Sequence, residues 1–232
     1  KFSRVFKELS DLKIAQKTHQ KFVEEYLSDM IFMYNASDST KIPLREKPVK
    51  IEKHLKTKAK KGRPKKSEQR EPKKPIILKQ QKDMSCANDM LSLVSTHCGV
   101  GIKQNSKGNR EVWIGGKLHI SVVDGDIPVT AFYSGANVHD SSLALPLMNE
   151  TSKRVSYLYD LQDAGYDSDI IREFSKKLNH KPIIDINPKN SKELKQKIQL
   201  EKDEKEKLKF LNLPLSSDEQ HYNKRSMVER VN

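Results

Sequence analysis

The hydrophobic pattern changes character within the first forty residues. From Lys1 to about Asp29, apolar residues recur every three or four positions, which is the spacing of an amphipathic helix. The next ten residues, IFMYNASDST, group apolar and aromatic side chains together before a small, polar cluster. This pattern predicts one long or two short helices over residues 1–29, followed by a buried strand that ends at Asp38.

Strand and helix patterns alternate farther along the chain. The runs VWIGGKLHISVV and IPVTAFYSGA flank the tripeptide DGD, which predicts a β-hairpin. The later apolar runs predict a helix, a strand, a helix, a strand and a final helix, at 139–150, 155–163, 167–180, 181–188 and from about 218. We therefore expect an α/β fold with a mixed sheet flanked by helices.

Two charged segments interrupt this alternation. Between Lys47 and Lys79 there are 14 Lys and Arg against 3 acidic residues, so this stretch carries most of the formal net charge of +13. Its prolines and few large apolar residues predict an extended or disordered basic insertion over 45–80, with a local polyanion partner. Over 189–217, Lys and Glu at helical spacing predict a solvated helix with i,i+4 pairs.

Composition limits the remaining classes. No apolar run approaches the roughly 18 residues needed to cross a bilayer, so we expect a cytoplasmic protein without a membrane partner. Cys86 and Cys98, with His97 between them, are spaced as C-x11-C. Zinc sites usually have paired short spacings, so reduced, buried thiols are the better interpretation.

Acidic residues at the ends of predicted strands are candidates for metal binding. Enzymes that cut or join phosphodiesters bind divalent ions through carboxylates presented on different elements. Asp38, after the first strand, either caps a turn or binds a metal. Asp163 follows another strand, but Asp160, Asp167 and Asp169 crowd it, and the pattern alone does not choose among the four.

A third candidate acid lies near the end of the chain. Glu229 follows Tyr222 and Arg225 at helical spacing, which places all three on one face of the predicted final helix. Met227 and Val228 predict that this helix also packs on a core. The pattern is compatible both with an exposed Arg–Glu pair and with a metal ligand.

Several motifs together resemble one known family. Tyr222, Arg225 and Glu229 match the front of Y-x2-R-x3-E-x6-K, the signature around the last catalytic acid of one large group of DDE transposases from bacterial insertion sequences. ASDSTKIPLREKP resembles the first-acid block of that group, the hairpin region its centre, and YLYDLQDAGYDSD its second-acid block. The resemblance covers the chain from about residue 30 and assigns the first two acids to Asp38 and Asp163.

The resemblance implies a ribonuclease-H-like fold, a mixed five-stranded sheet with helices on both faces. It implies a helical N-terminal segment at 1–29 and a catalytic core at 30–232, interrupted by the basic insertion and the charged helical segment. Gly116 stands where the family usually has an aromatic residue, so we expect a weakened strand. Family members continue beyond these blocks, and the signature's Lys would fall past Asn232, so we also expect a chain truncated at both ends.

The resemblance also implies an activity. Family members use Mg²⁺, for which Mn²⁺ can substitute, to cleave double-stranded DNA at terminal inverted repeats and join the freed 3′-OH to target DNA. Asp38, Asp163 and Glu229 would be the catalytic acids and metal ligands, while Tyr222 and Arg225 would hold DNA phosphate. A homo-oligomer on paired DNA ends, associated with the nucleoid, is the expected assembly.

The basic insertion adds a further candidate DNA contact. KGRPKK resembles an AT-hook, which would assign DNA binding to Lys61, Arg63, Lys65 and Lys66, although a solvated linker explains these residues equally well. Two other functions stay open on the sequence. One is a decayed transposase that binds DNA without catalysis, and the other is a different ribonuclease-H-like nuclease, such as a resolvase.

Overall fold

The computed structural model describes residues 2–49, 76–104, 108–188, 191–211, 213–214 and 216–231. The helices in these ranges are α1 (Phe2–Asp11), α2 (Ile14–Tyr26), α3 (Ile77–Gln81), α4 (Ala87–Ser92), α5 (Ala144–Arg154), α6 (Asp169–Lys177), α7 (Lys192–Phe210), α8 (Ser217–Asn223) and α9 (Ser226–Val231). The strands are β1 (Ile31–Pro43), β2 (Gly99–Gln104), β3 (Arg110–Val123), β4 (Ile127–Gly135), β5 (Ser156–Gln162) and β6 (Lys181–Ile184). None of the described helices combines the length and apolar character needed to cross a membrane.

The strands form one mixed sheet around β1. The order is β2-β3-β1-β5-β6, with β4 paired to β3. β1 is antiparallel to β3 and parallel to β5, and β5 is parallel to β6. This arrangement confirms the ribonuclease-H-like α/β fold, but the sheet has six strands rather than the five expected. The additional strand is β2, whose six residues GVGIKQ include two glycines that lower strand propensity.

β1 is longer than its hydrophobic pattern predicts. Its pairing with β5 stops at Ala36, but its pairing with β3 continues to Pro43. The prediction that the strand ends at Asp38 is therefore wrong. Asp38 lies two residues past the last β5-paired residue, where β1 is paired with β3 on one side and with no strand on the other. The side chains become polar there because they leave the core, while the backbone remains in the sheet.

Helices cover both faces of the sheet. On one face, α9 packs on the apolar side of the central strands through Met227 and Val228, which contact a cluster that includes Ala36 and Leu161. On the other face, the side chains of Asn35 in β1 and Ser175 in α6 both donate hydrogen bonds to the Asp160 carboxylate of β5. Successive strand residues point to opposite faces, so α6 and α9 lie on opposite sides of β1 and β5. α2 closes one end of this core through Val23, which is fully buried.

The basic insertion is described only at its two ends. Residues 50–75 lie outside the described part of the chain. On the C-terminal side, α3 begins at Ile77 and buries Leu78 and Gln81, whose amide donates to the carbonyls of Met90 and Ser142. The last residues assigned to the insertion therefore belong to the packed fold.

Gly116 lies inside β3 without interrupting it. A Cβ atom at this position would overlap the ring of Tyr133, which reaches across from β4. An aromatic ring over a strand glycine replaces packing that the glycine lacks. The expected weakness of this strand is thus offset by a residue of the neighbouring strand.

We expect Gly115→Ala to destabilise the sheet strongly. Gly115 has φ +150°, and a Cβ there would overlap the carbonyl oxygen of Ile42 on β1, so the paired backbones must separate. The expected loss in free energy of unfolding is about 2–3 kcal/mol, measured by urea denaturation.

Gly125→Ala is the matched control. Its φ is +83°, but the nearest atoms belong to the Ile127 side chain at 3.6 Å, so it should lose only about 1–2 kcal/mol. Equal losses of stability in the two variants would contradict the close approach of Gly115 to the Ile42 carbonyl.

Candidate active site

Asp38 presents its carboxylate at the edge where β1 loses its parallel neighbour. It lies opposite Ile120 of β3, and its side chain is 25% exposed. The Ser39 N–H donates to Asp38 Oδ1 at 2.7 Å. Burial raises the pKa of Asp38, and the nearby Asp163 carboxylate adds to the rise, whereas the Ser39 N–H and the Arg225 guanidinium oppose it.

Asp163 immediately follows β5 and is fixed by a single 3-10 turn, Ala164–Tyr166. Its Oδ1 accepts from the Gly165 N–H at 2.8 Å, and its carbonyl accepts from the Tyr166 N–H at 3.0 Å. The last parallel pair between β1 and β5 is Ala36 with Leu161, so Asp38 and Asp163 each lie two residues beyond it, at neighbouring positions of the sheet. The charge of Asp163 raises the pKa of Asp38.

Asp160 has a different position and a structural role. It is 1% exposed and lies on the α6 side of the sheet. Its carboxylate accepts from Asn35 Nδ2 at 3.1 Å and from Ser175 Oγ at 2.5 Å, and His180 Nδ1 lies 3.3 Å away. These contacts occupy both oxygens, so Asp160 is not available to a ligand at the sheet edge.

The two remaining acids of this block are also accounted for by local structure. Asp167 accepts from Arg172 Nη2 and from the Asn187 N–H, each at 2.9 Å. Asp169 is exposed in the first turn of α6, where the helix dipole stabilises a negative charge. Of the four acids that the sequence left open, Asp163 is the one whose charge raises the pKa of Asp38.

Arg225 lies between two of the candidate acids. Its Nη2 donates to Glu229 Oε1 at 2.6 Å, and its Nη1 lies 3.9 Å from Asp38 Oδ2. The Arg225 side chain is 20% exposed, against 54% for Glu229. Within the described ranges, no three His, Cys, Asp or Glu side chains lie close enough together to hold a metal ion. The structure thus places Asp38 and Asp163 at neighbouring positions of the sheet and Glu229 in an ion pair, so the role of all three as metal ligands stays a prediction.

The final segment is not the single helix that the sequence predicts. α8 ends at Asn223 and α9 begins at Ser226, so Tyr222 and Glu229 lie on separate helices. The Ser226 hydroxyl donates to the Asn223 carbonyl at 3.2 Å, a local side-chain bond of the kind that bends helices. Arg225 lies at the junction, where its N–H donates to the Tyr222 carbonyl at 2.9 Å.

Tyr222 supports Arg225 through its ring. The Arg225 guanidinium carbon lies 5.7 Å from the ring centroid, within cation–π range. The Tyr222 hydroxyl donates to Asp185 Oδ2 at 2.7 Å. Burial and this hydrogen bond raise the pKa of Tyr222, so the phenol stays neutral and keeps its proton on the Asp185 side.

The sequence reasoning missed Asp185 and Tyr166. Asp185 directly follows β6, so an acid after an apolar strand, the signal that selected Asp38 and Asp163, was also present here. Tyr166 is 1% exposed, and its hydroxyl has no hydrogen-bond partner among the described residues. Burial, together with Asp140, Asp38 and Asp163, raises the pKa of Tyr166 well above its usual value.

The chemistry of the Asp38–Asp163 pair fits a hard divalent cation. Mg²⁺ prefers oxygen ligands, keeps several waters and commonly needs only one or two carboxylates. Two carboxylates that repel one another are stabilised by a cation between them. The residues of the pair therefore suit Mg²⁺ or Mn²⁺.

Two other groups of predicted residues can be placed. Lys61, Arg63, Lys65 and Lys66 all lie outside the described residues. Cys86 and Cys98 are both free thiols, with Cys98 buried. The AT-hook hypothesis for the first group stays a prediction.

Comparison with known proteins identifies a family for most of the chain. A family model described as "Transposase DDE domain" matches residues 36–232. Searches of curated proteins and of solved structures gave no significant match. The matched range begins two residues before Asp38 and includes Asp163, Tyr222, Arg225 and Glu229.

Proposed function

This chain belongs to the family of transposases with a DDE domain, and from that premise we propose that it cleaves the DNA ends of an insertion sequence and joins them to target DNA. Asp38, Asp163 and Glu229 are proposed as the catalytic acids. The observation that carries the proposal is the placement of Asp38 and Asp163, each two residues beyond the last parallel pair of β1 and β5, with the charge of Asp163 acting on Asp38.

The two aspartates are held differently, which suits a shared metal site. Asp38 lies on a continuous strand, so its backbone is fixed by β3. Asp163 is held by the turn that binds its side chain and its carbonyl. Mg²⁺ or Mn²⁺ bound by these carboxylates would activate a water or a 3′-OH and stabilise negative charge at the phosphate. The proposal requires no covalent nucleophile from the protein.

Arg225 is proposed to bind the DNA phosphate next to the acids. A guanidinium fork matches two phosphate oxygens, and hydrogen bonds between charged groups are the stronger class. Tyr222 contributes by supporting the guanidinium with its ring, because its hydroxyl is already bound to Asp185. From the family alone, we further propose that the protein acts as a homo-oligomer on paired DNA ends.

The test is metal-dependent cleavage of DNA that carries the terminal inverted repeats of the element. With Mg²⁺ or Mn²⁺ we expect strand breaks that leave a 3′-OH, and with a chelator we expect none. DNA binding without cleavage in either metal would instead favour the decayed-transposase alternative. Products are resolved on denaturing gels.

Arg225→Gln should weaken binding of the same DNA by about 10- to 100-fold, because a charged hydrogen bond contributes about 1.5–3 kcal/mol. Binding is measured by fluorescence anisotropy over a range of salt concentrations. Arg230→Gln is the matched control. Arg230 also lies on α9 but binds Asp126 at the β3–β4 turn, through two nitrogens at 2.6 and 2.9 Å. An equal loss of binding in both variants would remove Arg225 from the phosphate site.

A further inference from the structure

The Glu229 carboxylate, which the proposed chemistry needs as a metal ligand, is bound to Arg225 in the structure. One guanidinium nitrogen donates to Glu229 at 2.6 Å, while another faces Asp38 at 3.9 Å. The same guanidinium is the group proposed to bind DNA phosphate. In this arrangement Glu229 and a phosphate compete for Arg225.

The contacts around Arg225 favour a change of partner over a change of fold. Glu229 is 54% exposed, and an ion pair with a solvent-accessible partner contributes little to stability. The backbone of α9 is fixed, because Met227 and Val228 are buried in the core. Release of Glu229 from Arg225 therefore needs only a side-chain rotation.

A second set of contacts keeps Arg225 in place after such a release. The Tyr222 ring lies under the guanidinium, and the Tyr222 hydroxyl is bound to Asp185 at 2.7 Å. Neither contact depends on Glu229. Asp185, acting through Tyr222, thus holds Arg225 near Asp38 whichever partner Arg225 has.

We propose that Arg225 has two alternative partners, Glu229 in the free protein and a DNA phosphate in the complex. Phosphate binding releases the Glu229 carboxylate to join Asp38 and Asp163, so the substrate completes the acidic site. Asp185 is a positioning residue that acts through Tyr222. This inference rests on the proposed function, because it uses the same acids and the same phosphate contact.

The exchange has a thermodynamic consequence that can be measured without cleavage. If DNA releases a metal ligand, DNA and metal must each raise the affinity of the other by the same factor. Coupling of this kind typically changes affinity by about 5- to 150-fold. In a protein whose three acids are always available, DNA would couple to the metal only through its own phosphates, which also bind the ion, and that coupling would persist in full in Arg225→Gln.

The experiment measures Mn²⁺ affinity by the electron paramagnetic resonance signal of free Mn²⁺. The protein is titrated alone and with a saturating short DNA duplex of random sequence, and a DNA-only titration corrects for ions bound by phosphates. For the wild type we expect the DNA to tighten Mn²⁺ binding about 10-fold. Arg225→Gln should bind Mn²⁺ tightly without DNA and gain less from DNA than the wild type does. Glu229→Gln should bind weakly in both conditions.

Three controls separate this exchange from a simple charge effect. Removal of the Arg225 charge could itself favour a cation, so the double variant Arg225→Gln/Glu229→Gln is compared with Arg225→Gln. If Glu229 is the released ligand, the double variant loses the tight binding. Asp185→Asn, which keeps an acceptor for Tyr222, should retain the coupling that Asp185→Ala reduces. Arg230→Gln should behave as the wild type.

The outcomes distinguish failure of the Arg225 partner exchange from failure of the proposed function. Equal Mn²⁺ affinity of the wild type with and without DNA would overturn the exchange, as would tight binding in the double variant. Asp38→Asn should lose Mn²⁺ binding in both conditions. If Asp38→Asn binds Mn²⁺ as the wild type does, or if the wild type binds none, the proposed metal site itself fails and the exchange with it.

Discussion

Asp38→Asn is expected to abolish DNA cleavage and, at neutral pH, to raise the free energy of unfolding. Burial raises the pKa of Asp38, and Asp163 raises it further, so the ionised carboxylate is less stable in the folded protein than in the unfolded chain. Asparagine keeps the shape and an acceptor for the Ser39 N–H but removes the charge. Cleavage should fall by about 10³-fold or more, because a metal ligand is lost.

The stability difference should depend on pH in a defined direction. A carboxyl whose pKa is raised on folding stabilises the protein at pH values below its unfolded pKa, and this contribution is lost as the pH rises through its folded pKa. Asp38→Asn should therefore exceed the wild type in stability at neutral pH and approach it in acid. Urea denaturation at several pH values measures this, with Asp29→Asn, at an exposed position outside the helices, as the control. Full cleavage activity, or lower stability at neutral pH, would contradict the prediction.

Asp160→Ala is expected to lose stability, whereas Asp163→Ala is expected to lose DNA cleavage. Asp160 is buried, and its loss would leave Asn35, Ser175 and His180 without their charged partner. Removal of one member of such a buried charged network costs about 3–5 kcal/mol, a large part of the 5–15 kcal/mol that stabilises a typical domain. Asp163→Ala removes the bond to the Gly165 N–H, at about 1 kcal/mol, and should leave a folded protein that does not cleave DNA.

Unfolding by urea and cleavage of terminal-repeat DNA are both measured for this pair of variants. Asp160→Asn serves as a further control, because it preserves shape while removing charge. We expect it to lose less stability than Asp160→Ala. The reverse pattern, with Asp163→Ala unfolded and Asp160→Ala stable but inactive, would mean that the wrong acid of this block has been assigned.

The hydrophobic pattern predicted the elements that are long or have a clear turn signal. The β3–β4 hairpin, the strand before Asp163 and the charged helix α7 all form as predicted. The pattern did not predict α3, α4 or β2, which have only five or six residues each and are formed by tertiary packing. The break between α8 and α9 was missed because it is a local change of backbone bonding, with Arg225 N–H donating to the Tyr222 carbonyl three residues back, and such a change has no signature in hydrophobic spacing.

The choice of Asp163 over Asp160 needed the three-dimensional structure or a family motif. β5 has buried residues on both faces, with Asp160 and Leu161 each almost inaccessible to solvent. A strand covered on both sides does not alternate between apolar and polar residues, so its sequence does not reveal which face a residue occupies. The Arg225 bridge likewise depends on where two helices dock, which sequence spacing could not show.

The most direct test of the central claim is metal dependence of cleavage by Asp38→Cys. A thiolate is a poor ligand for Mg²⁺ and a better one for softer ions such as Mn²⁺. If Asp38 binds the catalytic metal, cleavage of terminal-repeat DNA should be lost with Mg²⁺ and partly restored with Mn²⁺. Equal loss with both metals in a folded variant, or undiminished cleavage with Mg²⁺, would contradict the assignment of Asp38 as a metal ligand.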